Sequence, residues 1–176
     1  MGAAGKYIRE LWLKPKKTLG NVWKEKLVLL RKNPAITRIE KPTRIDRARA
    51  LGYRAKQGYV VLQVSVSKGG RKRPKDSIPK GRKPKNYGFV HFTTAKSKQL
   101  MAEQRANRKY PNMEVLSSYY LIEDGKHKWF EVIMVDPTHI QIMRDKKINW
   151  ICLRTHTRRV YRDLTTSGKN MRGLRK

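Results

Sequence analysis

Four histidines, His91, His127, His139 and His156, lie on separate segments, with no spacing that lets two of them share a metal ion. Asp124 and Asp136 are the carboxylates best placed for acid–base chemistry. Asp124 opens an Asp-Gly turn and Asp136 precedes Pro137, so turn formation and helix capping account for both. Cys152 is the single cysteine. It follows Trp150 and Ile151 with no base at a recognisable offset, so it reads as a core residue, and alone it excludes an internal disulfide or a Cys-rich zinc site. No glycine-rich phosphate loop is present: Gly69-Gly70 leads into Arg71-Lys72-Arg73-Pro74, which cannot open a dinucleotide-binding helix. These residues indicate no catalytic centre, metal, cofactor or small-molecule substrate.

The chemistry the chain can do is polyanion binding. Of its 176 residues, 43 are Lys or Arg and 13 are Asp or Glu, for a formal net charge of +30. That excess has no internal counter-charge, and nucleic acid is the natural one. The cations recur in three blocks. The first holds Arg44, Arg47, Arg49, Arg54 and Lys56. The second holds Lys68, Arg71, Lys72, Arg73, Lys75, Arg82, Lys83 and Lys85. The third holds Arg154, His156, Arg158, Arg159, Arg162, Lys169, Arg172 and Arg175. Glycines among them allow close approach to phosphates, and prolines lower the entropy cost of ordering. Tyr53, Tyr59, Tyr87 and Tyr161 punctuate the blocks and offer faces on which splayed bases stack. Ten phosphate contacts would give a log–log salt slope of about −7 to −9. RNA is favoured over DNA, because no helix-turn-helix, zinc finger or basic zipper is present to enter a major groove.

Elements must position these blocks. Tyr7, Ile8, Leu11 and Trp12 have helical spacing that Pro15 ends, and Val22, Trp23, Leu27 and Leu30 mark a second helix capped by Asn21 and stopped before Asn33-Pro34. Thr43 and Asp46 form a near capping box for a short helix ended by Gly52. "YVVLQVSVS" (59–67) alternates as a strand. A helix is expected from Ala95 to about Lys109, capped by Thr93 or Thr94. "MEVLSSYYLI" and "KWFEVIMV" flank Asp124-Gly125 as a hairpin. Asp136-Pro137 starts a short helix toward Arg144, and "INWICL" adds a last strand. From Arg154 onward charge and glycine leave no apolar period. The expected fold is α+β: a small, mainly antiparallel sheet with flanking helices, plus a long basic loop and extended basic termini. It divides into an N-terminal helical extension (1–41), an α/β core (42–153) and a basic C-terminal tail (154–176). The core carries the loop 68–88, which has nine basic residues and one acid and reads as an arm that folds on RNA.

Five collinear blocks carry a resemblance: "KYIRELW" near the start, "PTRIDRARALGYRAKQGYVV" (42–61), "GGRKRP" (69–74), "VLSSYY" with "EDGKHKWFEVIMVDPTH" (115–139), and "LTTSGKNMRGL" (164–174). Together they resemble ribosomal protein fifteen of the archaeal and eukaryotic large subunit. The segment 13–41 matches that family poorly, and the ending near "RGLRK" is of the archaeal type. The resemblance implies a structural role in the cytoplasmic ribosome, with large-subunit ribosomal RNA and neighbouring ribosomal proteins as partners. No membrane and no homo-oligomer is expected. It places Arg71, Lys72, Arg73, Arg82 and Lys83 in an RNA-threading loop, Arg44, Arg47, Arg54 and Lys56 beside the first strand, and Lys169, Arg172 and Arg175 in the tail. The alternatives are a general, chromatin-type nucleic-acid-binding protein and an RNA-modifying enzyme, the latter lacking any visible pocket chemistry.

Overall fold

The computed structural model describes residues 3–71 and 93–174. In chain order these form α1 (Ala3–Leu11), α2 (Pro15–Thr18), α3 (Gly20–Lys32), β1 (Ile36–Ile39), α4 (Ile45–Ala50), β2 (Tyr59–Ser67), α5 (Lys98–Lys109), β3 (Glu114–Glu123), β4 (His127–Val135), α6 (Ile140–Met143) and α7 (Thr166–Met171). Two short 3₁₀ segments, Asn149–Cys152 and Arg154–His156, lie between α6 and α7. The strands make one antiparallel sheet in the order β1-β2-β4-β3, which is the α+β architecture expected from the pattern. Among the described residues no helix is long and apolar enough to cross a membrane.

Both faces of the sheet are covered. Leu62, Val64 and Val66 of β2 point toward α5 and join Leu100, Ala102, Ala106, Phe130, Val132 and Met134 in one cluster. On the opposite face Val61, Tyr119 and Ile133 pack against Ala48 and Tyr53, while Trp23 and Leu30 of α3 close over Leu121, Ile122 and Trp129. Central β4 is consequently buried from Trp129 to Val135, and each of its large apolar side chains contributes about 1.5–3 kcal/mol of transfer free energy.

Local signals explain most boundaries. Gly52, at φ +98°, completes a C-terminal turn after α4: Gly52 N donates to Arg49 O (3.1 Å) and Tyr53 N to Ala48 O (3.0 Å). The Asp-Gly turn between β3 and β4 is held by Asp124 Oδ1, which accepts from Lys126 N (2.7 Å) and His127 N (2.6 Å).

Several expectations are corrected. Pro15 does not merely end a helix; it opens the one-turn α2. Asn21 caps nothing, since α3 begins at Gly20. Thr43 does not form a capping box. Its Oγ1 accepts from Lys26 Nζ (2.8 Å) and its N–H donates to the buried carboxylate of Glu131 (3.0 Å). Helix α5 starts at Lys98, because Ser97 Oγ rather than Thr93 or Thr94 accepts from Leu100 N (3.1 Å). Asp136 Oδ1 instead holds Thr138 N (2.9 Å), and α6 starts at Ile140 behind His139. "INWICL" is a 3₁₀ turn that buries Ile148 and Ile151, not a strand. The residues after Arg154, which show no apolar period, nonetheless fold back: Val160 is fully buried in the α5 cluster, and α7 packs on α5 and β3.

Candidate nucleic-acid interface

The first basic block sits on α4 and its exit. Arg47, Arg49 and Arg54 are exposed. Arg44 is turned inward: its guanidinium lies 5.1 Å from the Trp12 ring centroid and 3.5 Å from Asp46 Oδ2. Lys56 is paired with Asp145, whose carboxyl that hydrogen bond and the Lys147 N–H hold below the usual carboxylate range. Of the second block, Lys68 bonds Glu123 (2.9 Å) and Arg71 is exposed. Lys72, Arg73, Lys75, Arg82, Lys83, Lys85 and Tyr87 lie outside the described residues, as does Arg175.

The third block divides. Arg154, Arg158, Arg162, Lys169 and Arg172 are exposed, with Arg162 Nη1 donating to Thr155 O (2.7 Å) and Arg172 Nε lying 3.2 Å from Asp163 Oδ2. Arg159 is the exception. Only 7% exposed, it donates from Nη1 to the carbonyls of Val115 (2.6 Å) and Leu116 (2.8 Å), and from Nη2 to Leu164 (3.3 Å). Both terminal nitrogens of its guanidinium are thus engaged by backbone carbonyls of β3 and of Leu164, which places the side chain inside the fold rather than at its surface. His156 stands edge-on to Trp150, with ring centroids 4.8 Å apart. Burial first, then the charges of Arg159 and Arg162, lower its pKa and keep it neutral.

The tyrosines separate in the same way. Tyr53 is buried, packed edge-on against Tyr59 at 5.8 Å, and offers no free face for a base. Tyr59 is half-buried, and desolvation followed by the nearby Asp145 charge raises its pKa. Tyr161 is exposed, its hydroxyl donating to Gln104 O (3.2 Å).

The acids explain why the surface is so positive. Glu103, Glu114 and Glu131 are buried, and Asp46, Glu123, Asp124, Asp136, Asp145 and Asp163 all bond within the chain. Glu114 shows the pattern: it accepts from Arg158 N (2.7 Å) and Arg159 N (3.3 Å), fixing the turn where Arg158 has φ +51°. Among the described acids only Glu10, Glu25 and Glu40 are exposed. Few carboxylates therefore remain outside to neutralise Arg47, Arg49, Arg54 and the exposed lysines. The reading of the sequence missed a further group, Trp12, Lys14, Lys16, Lys17 and Tyr120, which meet in one groove. The interleaved lysines at 14, 16 and 17 were its only sequence signal. Among the described residues no group of His, Cys, Asp or Glu could hold a metal ion.

A family model described as Ribosomal L15 matches residues 3–176. The chain is 50% identical over 175 residues to "Large ribosomal subunit protein eL15" of Methanocella arvoryzae, an alignment covering 99% of this chain and 88% of that protein.

Proposed function

From the premise that the chain belongs to the ribosomal L15 family of the large subunit, we propose that it binds and stabilises folded large-subunit ribosomal RNA. That family is one of structural ribosomal proteins, so the chain is not an enzyme. In this reading Arg47, Arg49, Arg54, Arg71, Arg154, Arg158, Arg162, Lys169 and Arg172 neutralise packed phosphates in the cytoplasmic ribosome, beside neighbouring ribosomal proteins. The cations of 72–92 and Arg175 belong to the same reading by their charge alone.

One observation carries the reading: among the described residues the fold buries or engages most carboxylates within the chain, while Arg47, Arg49, Arg54, Arg154, Arg158, Arg162, Lys169 and Arg172 stay exposed. A charge distribution of that kind is self-repelling in the free protein and becomes favourable when RNA phosphates enter and release their counterions. Arginine's planar fork suits bidentate phosphate contact.

A salt-washed sucrose gradient of cell lysate tests it. Constant stoichiometry with the large subunit after about 0.5 M salt, where loose phosphate contacts are stripped, is the expected result. Release into light fractions would replace this reading with a general nucleic-acid-binding protein.

A further inference from the structure

We propose that the outer face of α5 is a track for the sugar–phosphate backbone of one RNA strand, carried by Lys98, Arg105 and Lys109 in a row along the seam between α5 and the β1–β2 side of the sheet. This rests on the RNA-binding reading above and adds to it a surface that lies outside the three basic blocks.

The helical repeat makes the row. Lys98, Arg105 and Lys109 stand seven and four residues apart, so they share one stripe of α5 that spans about 16 Å. Leu100, Ala102, Glu103, Ala106 and Asn107 are the buried side of the helix. The sheet fixes each head group in turn. Lys98 Nζ donates to Gly69 O (2.8 Å), Arg105 Nη1 to Ser65 O (3.2 Å) and Lys109 Nζ to Ile36 O (3.1 Å). Gly69 follows the end of β2, Ser65 lies within it, and Ile36 is paired with Val64. The three acceptors therefore succeed one another along the strand in the order of the three cations.

These bonds position the cations without neutralising them. A carbonyl cancels no charge, and a head group that gives it one donor keeps the others for a phosphate oxygen. Lys56, Lys68 and Lys128 differ in this respect, since each is paired with a carboxylate. Side chains already held in place lose less freedom when a ligand arrives. Arg105 and Lys109 are exposed and Lys98 is half-buried, and exposed Arg108 widens the same face.

The surrounding charges favour an anion. Glu103, the one acid of α5, is turned inward. Of the exposed acids among the described residues, Glu10 and Glu25 belong to α1 and α3, and Glu40 follows β1. Near Gly69, where the basic loop 68–88 opens, Glu123 has both oxygens engaged, by Lys68 Nζ (2.9 Å) and Lys128 Nζ (3.1 Å). The row holds no aromatic side chain, so it reads phosphates rather than bases and is indifferent to sequence.

The test has two parts. Intact large subunits are treated with 2-iminothiolane, which extends lysines with a thiol that ultraviolet light couples to adjacent RNA, and the adducts on this chain are mapped by mass spectrometry. Nucleotide adducts at Lys98 or Lys109 are expected. Adducts confined to other parts of the chain would overturn the track while leaving the RNA reading intact. Protein–protein cross-links from Lys98 and Lys109 without a nucleotide adduct would assign the face to a neighbouring protein and overturn it too. A chain absent from salt-washed subunits would mean that the underlying RNA reading has failed. In the second part the full chain is titrated with a 12-base-pair RNA duplex over a range of salt. Replacing Lys98, Arg105 and Lys109 by Gln should reduce the log–log salt slope by about 2, with an unchanged thermal midpoint. Lys98→Arg, Arg105→Lys and Lys109→Arg together should keep the slope. An unchanged slope in the Gln variant, or an equal loss in the charge-retaining one, would refute the track.

Discussion

Glu103 offers the sharpest test of how the C-terminal residues are held. It is 1% exposed, and three buried hydroxyls share its carboxylate: Ser118 Oγ donates to one oxygen, Thr165 Oγ1 (2.7 Å) and Ser167 Oγ (2.5 Å) to the other. These bonds tie α5 to β3 and to the start of α7. Glu103→Ala strands three hydroxyls at about 1 kcal/mol or more each and leaves a partly collapsed cavity, so the loss should be about 3–5 kcal/mol. Glu103→Gln keeps the shape, and hydroxyls can accept as well as donate. It forfeits only the charge assistance, about 1–2 kcal/mol. Urea unfolding of the full-length chain gives the total. Amide exchange at residues 165–171 shows whether the loss is felt at the tether. An alanine variant within about 1 kcal/mol of wild type, or one destabilised with no change in exchange at 165–171, would refute the reasoning.

Other outcomes follow from single contacts. Arg159→Ala should lower the thermal midpoint and leave the salt slope of RNA binding unchanged, whereas Arg47→Gln with Arg49→Gln should leave the midpoint and reduce the slope by about 1.5. Gly58→Ala should cost about 2–3 kcal/mol in chemical denaturation, since φ is +88° and the new Cβ would lie 2.5 Å from Ile142 Cγ1. Gly69→Ala, at φ +91° with nothing within 4 Å, should cost only the backbone part, about 1–2 kcal/mol. The Asp124 carboxyl is held down to about 2, chiefly by the His127 N–H, with Arg31 and the Lys126 N–H adding to it. Its folded pKa lies below the unfolded value, so its stabilisation is complete above about pH 4 and lost as pH falls toward 2. Asp124→Asn should flatten thermal stability over that window.

What could be read from the sequence was local. Strand β2 has the expected limits, Tyr59 to Ser67, because alternation marks both ends. Its partners β3 and β4 are recognisable because an aspartate turn joins them. Strand β1, Ile36–Ile39, went unread: four residues are too few to show alternation, and its pairing with Val61–Val64 makes it a strand. The 3₁₀ turn at 149–152 was misread because a short apolar run has no period of its own. At the site, exposed arginines were legible from composition, but which cations turn inward depends on distant partners. Arg159 meets carbonyls of β3, and Tyr53 meets Tyr59 and the sheet. The groove was invisible for the same reason, since Trp12 and Tyr120 are joined only by the fold.

The strand order has a consequence for the chain while it is being made. Strand β2 pairs β1, already synthesised, on one side. Its other side awaits β4, with Ser67 opposite His127, about sixty residues later, or roughly 3–12 s at ordinary elongation rates. Throughout that interval a valine-rich strand presents an open edge, the usual template for aggregation. The residues that emerge directly behind it are the nine cations of Lys68–Gly88. Their mutual repulsion keeps two such nascent edges apart, so the run guards the strand before any RNA is met.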